Sequence, residues 1–136
     1  SIWQGRGVIS ITTKSPYAIS ALTELARTPD HPVPVGEIAR RRDIPAQFLE
    51  QLVATLRRGG ILRSQRGVKG GYTLARSADQ ISVLEVVELL DGPLAADGDD
   101  VFAASAAAAR AVLAETTIAD CLAREQAAAG GPMYYI

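Results

Sequence analysis

The sequence predicts a mainly α-helical fold with one small β-hairpin, and three observations carry that expectation. Apolar residues recur at helical spacing in several separate runs along the 136 residues. One stretch, residues 43–74, DIPAQFLEQLVATLRRGGILRSQRGVKGGYTL, holds an amphipathic helix followed by a basic, glycine-rich pair of strand-like segments. The charge is divided: residues 1–76 hold 12 Lys and Arg against 5 Asp and Glu, and residues 77–136 hold 2 against 10, so that +7 and −8 lie hidden under a net charge of −1. The expected organisation is a winged helix-turn-helix DNA-binding domain over residues 9–76. A helical dimerisation region with a long helix and a flexible tail follows over 77–136, and residues 1–8 read as an extension or expression remnant.

Along the chain, Ser15-Pro16 reads as an N-cap followed by proline in the first helical turn. The first helix then places Ala18, Ala21, Leu22 and Leu25 on one face and ends before Thr28-Pro29. Lys14 and Tyr17, at its start, are expected either against a DNA backbone or, more plainly, as a solvated amine and a packed ring. Residues 29–34 form a proline-rich loop whose His31 is a solvent-exposed histidine rather than a catalytic one. A short helix over 35–42 turns Val35, Ile38 and Ala39 inward. Its Arg40-Arg41-Arg42 run either meets phosphate or complements the helix dipole.

The helix over 45–58 follows, with Pro45 in its first turn and Gly59-Gly60 as its stop. Phe48, Leu49, Leu52, Val53 and Leu56 make its inner face, which leaves Gln47, Glu50, Gln51 and Arg58 outside, where amides and a carboxylate can meet base edges in a major groove. Residues 61–65 and 71–74 are the strands of a wing, and Arg66 and Lys69 sit at its tip, where a phosphate or a narrow minor groove would meet them. Glycines 67, 70 and 71 permit positive φ and close backbone approach.

In the acidic half, Ser82 with Glu85 is a capping box that opens a helix through Val83, Val86, Val87 and Leu90, which Asp91-Gly92-Pro93 ends. Residues 94–100 are expected to be a mobile acidic link. An alanine-rich helix over 101–113 is too poor in large apolar groups to anchor a core alone and reads as a dimerisation strut. Thr117 with Asp120 opens a last helix over 118–128, and Gly130-Gly131-Pro132 frees the tail.

Several function classes are excluded by what the sequence lacks. One histidine, no phosphate-binding glycine loop, no metal-ligand cluster and no nucleophile–base pair argue against an enzyme. No apolar run approaches the roughly 20 residues that cross a bilayer, and one cysteine makes no internal disulfide, so a cytoplasmic protein is expected. A pure protein-interaction module would suit the acidic half but leaves the basic wing without a purpose.

Two motifs carry a family resemblance. Phe48-Leu49-Glu50-Gln51-Leu52 is similar to the "YLEQL" of the Rrf2 family of bacterial winged-helix regulators, and Arg66-Gly67-Val68-Lys69-Gly70-Gly71-Tyr72 to its "RGxxGGY". The resemblance runs from about Ile9 to the C-terminus. Ser10 to Ala18 is similar to the family's opening "IS-TKGRYA", with Ser15-Pro16 where Gly-Arg is usual, which loses a basic group. The resemblance implies a dimeric repressor reading a palindromic operator in double-stranded DNA. Gln47 and Glu50 take the base-reaching positions and Arg66 that of the wing arginine, and Gln47 stands where serine is frequent, which implies a different operator. The expected DNA-binding set is Lys14, Tyr17, Gln47, Glu50, Gln51, Arg57, Arg58, Arg66, Lys69, Gly70 and Tyr72.

Cluster-binding members of that family carry three close cysteines after the Gly-Pro that ends the fourth helix. Here Gly92-Pro93 is followed by LAADGDD, and Cys121 alone cannot hold an iron-sulfur cluster, so no metal or cofactor is expected. The chain therefore resembles the branch of cysteine-metabolism repressors typified by CymR, which lacks those cysteines and ends similarly. That resemblance implies cysteine synthase, the O-acetylserine sulfhydrylase, as a partner. Met133, Tyr134, Tyr135 and Ile136 either enter the synthase active site or pack on the protein's own dimer. An alternative is redox sensing through Cys121, against which stands the ordinary buried thiol that its helical position suggests.

Overall fold

The computed structural model of the chain describes residues 11–94, 98 and 100–130. Its elements follow the apolar periodicity: α1 Lys14–Ala26, α2 Val35–Arg42, α3 Ala46–Arg58, β1 Leu62–Gln65, β2 Gly71–Leu74, a short 3-10 turn Ala78–Gln80, α4 Val83–Asp91, α5 Val101–Glu115 and α6 Ile118–Gly130. Leu22 and Leu25 of α1, Ile38 of α2 and Leu49 and Leu56 of α3 are fully buried in one core. Ile61, Ile81, Val86 and Ile118 join the same core, so the packing runs without a break across the boundary at residues 76 and 77.

The helix-turn-helix is made by α2 and α3. Asp43 takes a left-handed conformation with φ 53°, tolerable for Asp, and lets both its own amide and that of Ile44 reach the Ala39 carbonyl. Pro45 lies one residue outside α3 rather than in its first turn. At the far end Gly60, with φ 79°, turns the chain so that the Ile61 amide bonds back to the Leu56 carbonyl at 2.9 Å and the strands begin.

The wing pairs antiparallel in register Leu62 to Leu74, Arg63 to Thr73, Ser64 to Tyr72 and Gln65 to Gly71. It has a third contributor that periodicity does not reveal. Val33, inside the expected proline loop, exchanges hydrogen bonds of 2.9 and 3.0 Å with Tyr72. Gly71 makes that approach possible: its φ is 152°, and a Cβ there would fall on the Val33 carbonyl.

Two caps differ from expectation. Ser15 is not the N-cap of α1; the helix starts at Lys14 after an αR Thr13, and Ser15 is buried with its hydroxyl donating to Asp91 Oδ2 at 2.5 Å. The Ser82 box is half formed, because Ser82 Oγ accepts from the Glu85 amide at 3.1 Å while the Glu85 carboxylate pairs with Arg76. The Thr117 box is complete, with reciprocal bonds to Asp120 of 2.9 and 3.0 Å. Backbone bonds from Val83 to Thr116 and from Ile118 to Ile81 then fasten the starts of α4 and α6 to one another.

One buried carboxylate organises the helices behind the wing. Glu24, 4% exposed on α1, accepts from Arg42 Nε at 2.9 Å and Arg41 Nη1 at 3.1 Å, and Arg42 also grips Glu125 of α6 with bonds of 2.7 and 3.0 Å. Burial works to raise the Glu24 pKa, but the hydrogen bonds from Arg42 and Arg41 outweigh it and hold the carboxyl below its ordinary 4.5. The unfolded chain therefore binds the extra proton first as pH falls. This stabilisation is full above pH 4.5 and is lost as pH drops through the lower folded value. Urea unfolding should show Glu24→Ala destabilised by about 2 kcal/mol at pH 7, since it removes the shared acceptor and leaves Arg42 only Glu125 and Arg41 only Glu37. The acid-side loss of stability should be shallower in that variant than in the parent.

Candidate nucleic-acid interface

Because α3 buries Leu49, Leu52, Val53 and Leu56, its other face must look outward, and Gln47, Glu50, Gln51, Arg57 and Arg58 are all exposed on it. The helix start is fixed against α1 by Tyr17, whose ring meets Phe48 edge-on at 5.5 Å between centroids. Tyr17 is thus half-buried packing as well as an edge of this surface, and Lys14 near it is exposed. Arg66 and Lys69 project from the hairpin tip. Tyr72 is half-buried against the core and bridged to Val33, which makes it the root of the wing rather than its tip. Gly70 closes the turn so tightly that a Cβ would strike the Gln65 carbonyl.

Charge pairing separates the cations into two groups. Arg27, Arg41 and Arg42 are drawn to Glu24, Arg40 to Glu37, Arg76 to Glu85 and Arg110 to Glu88. Arg41 and Arg42 of the run therefore fasten α2 to α1, while Arg40 stays exposed at the surface beside Glu37 of its own helix. Among the described residues, Lys14, Arg57, Arg58, Arg63, Arg66 and Lys69 make no ion pair, and Arg124 on α6 is the other cation without one. Six cations without an ion pair thus stand on three elements, the start of α1, the end of α3 and the hairpin, which together make up the candidate basic edge. Arg63 was not singled out from the sequence. Its signal was the end of the apolar pair Ile61-Leu62: both are buried, and Arg63 is the first exposed residue of β1, opposite Thr73.

The other expected site residues lie elsewhere. Cys121 is half-buried on α6 beside Val83, Leu84 and Val87. Burial pushes its thiol pKa up; Arg124 pulls it down, and Asp120 and Glu125 add to the rise. Met133, Tyr134, Tyr135 and Ile136 lie outside the described residues, as does most of the acidic link. No helix among the described residues is long and apolar enough to cross a membrane.

Comparison with known proteins agrees with this geometry. A family profile described as an iron-dependent transcriptional regulator, Rrf2, matches residues 11–124. A protein of Synechocystis named as an HTH-type transcriptional regulator is 46% identical over 96 residues, covering 68% of this chain and 65% of that protein, so the match spans just under two thirds of the relative's length. The structure of CymR, described as the global cysteine regulator of B. subtilis, superposes with a TM-score of 0.80 at 29% identity over 86% of this chain and 98% of that one. IscR of T. potens superposes with a TM-score of 0.80 at 35% identity over 93% of this chain and 97% of that one.

The iron in the profile's description finds no fitting donor set here. Among the described residues no three His, Cys, Asp or Glu side chains come together to hold a metal, and the sequence has one cysteine, whose thiol burial disfavours as thiolate. Cys121 should accordingly react with a thiol reagent at pH 7 markedly more slowly than free cysteine, and as fast once the protein is unfolded in urea.

Proposed function

The chain belongs to the Rrf2 family of transcriptional regulators, and from that premise we propose that it is a dimeric repressor that reads a palindromic operator with α3 and the wing. The observation that supports this most is that six cations without an ion pair stand on the start of α1, the end of α3 and the hairpin, beside an α3 whose polar face is exposed. Lys and Arg set against phosphate release counterions and supply sequence-independent affinity. Gln47, Glu50 and Gln51 stand between them to select bases, a glutamate accepting from a cytosine amino group and a glutamine pairing with adenine. Membership of this family also argues against an enzyme, since its members are regulators.

Dimerisation is assigned to the region of residues 77–136, with α5 as strut. Only Ala106 of α5 is buried within the chain, while Val101, Phe102 and Val112 are exposed. A helix of that composition gains its stability from a partner. Control of sulfur and cysteine metabolism is supported by the likeness to CymR and by the missing cluster cysteines after Gly92-Pro93. In this reading cysteine synthase reports metabolite status through residues 133–136. The raised pKa of Cys121 speaks against redox sensing as the main signal.

Duplex binding measured across a range of salt concentrations tests the core of this. Arg66→Ala and Lys69→Ala should each flatten the log–log salt dependence by about 1.8, since a twofold dimer loses two contacts at about 0.9 each. Unchanged slopes would remove the wing from the interface. Retention of promoter fragments, with and without cysteine synthase and O-acetylserine, tests the sulfur assignment, and unaltered synthase binding after deletion of Ile136 would exclude the tail.

A further inference from the structure

The first turn of α1 is built from a distant residue. The helix has no side-chain cap of its own, and the residue best suited to cap it, Ser15, is turned into the protein. Its place is taken by Asp91, the last residue of α4. Asp91 Oδ2 accepts from the Thr12 amide at 3.2 Å and from Ser15 Oγ at 2.5 Å, and Oδ1 accepts from Thr12 Oγ1 at 2.6 Å. Thr12 Oγ1 in turn accepts from the Lys14 amide at 3.2 Å. Four donors at the entry of α1 are thereby tied, directly or through one hydroxyl, to a single carboxylate more than seventy residues away. A carboxylate at a helix N-terminus is also where the helix dipole favours negative charge.

The carboxylate is held in place from its own side. Val86 and Val87 of α4 are buried, and Gly92, with φ 85°, ends the helix immediately after Asp91. Burial works to raise the Asp91 pKa, and the bonds from Ser15 and Thr12 more than offset it, so the group is anionic at neutral pH. Lys14 and Tyr17 are the two residues that α1 contributes to the basic edge, and both lie within one turn of this anchor.

We propose that Asp91 is a positioning residue for DNA binding: by bonding Thr12 and Ser15 it fixes the first turn of α1 so that Lys14 meets a phosphate and Tyr17 braces α3. This rests on the reading of the basic edge as a DNA surface and adds a residue from the acidic half that does not itself touch DNA. It also makes a prediction opposite in sign to simple electrostatics. Removing a carboxylate near a polyanion should tighten binding, whereas removing this one loosens it.

The test is duplex binding as a function of salt for the parent, Lys14→Ala, Asp91→Ala and the double variant, with thermal melting of each. Asp91→Ala should weaken binding and flatten the slope by as much as Lys14→Ala does, and the double variant should be no flatter than either single one. A folded Asp91→Ala that keeps the parent's slope, binds more tightly, or adds its effect to that of Lys14→Ala overturns the proposal. An unchanged slope in Lys14→Ala also overturns it, while steep salt dependence in the parent leaves the wider reading standing; salt-independent binding by the parent fails both. If Asp91→Ala does not fold, Thr12→Val decides, because it cuts the hydroxyl link to Lys14 at an exposed residue. Its slope should fall between those of the parent and Lys14→Ala, and equality with the parent overturns the proposal.

Discussion

The arrangement depends on the burial of one face of α3. Leu49, Leu52, Val53 and Leu56 are each at most 4% exposed, and each such side chain contributes about 1.5–3 kcal/mol on leaving water. A rotation of the helix about its axis would forfeit that, so the direction in which Gln47, Glu50 and Gln51 point is set by the core rather than by anything they touch. The wing inherits its position from the same helix. Gly60 turns the chain directly out of α3, and the Val33 bridge to Tyr72 then fixes the strands against the loop that precedes α2.

Electrostatics completes the selection. Most arginines outside the exposed edge have a carboxylate partner, and Arg41 and Arg42 of α2 are drawn inward by Glu24 and Glu125. The near-zero net charge of the chain therefore says little about its surface. Isolated surface pairs contribute little to stability, whereas the pairs on Glu24 hold Arg41 and Arg42 against the core. What is left unpaired is concentrated where α3 and the hairpin project. The acidic half takes part in this order through Glu125 on Arg42 and Asp91 beneath the start of α1.

Most of the fold was legible because it is local. Helical periodicity, the glycines at 59 and 60, the Thr117 box and the strand–turn–strand pattern of the wing all act within a few residues, and the elements lie where those signals put them. The misses share a cause in partners far away in sequence. Ser15 looked like a cap because nothing near it shows that Asp91 would claim its hydroxyl, and Val33 looked like loop because its strand partner is Tyr72. The Arg40-Arg41-Arg42 run reads as facing phosphate or the helix dipole, and neither reading contains Glu24, which lies 17 and 18 residues before Arg41 and Arg42 and binds both. Of the expected site, the outward set of α3 and the hairpin tip is exposed, Tyr17 and Tyr72 are shared with packing, and Arg63 needed the burial of Leu62 to be seen.

Amide hydrogen exchange with and without an operator-bearing duplex tests the central claim most directly. On this account DNA slows exchange in α3, in the hairpin over residues 62–74 and at the start of α1, and leaves the outer face of α6 unchanged. Slowing confined to α5 and α6, with the hairpin exchanging as fast as in the free protein, would contradict it.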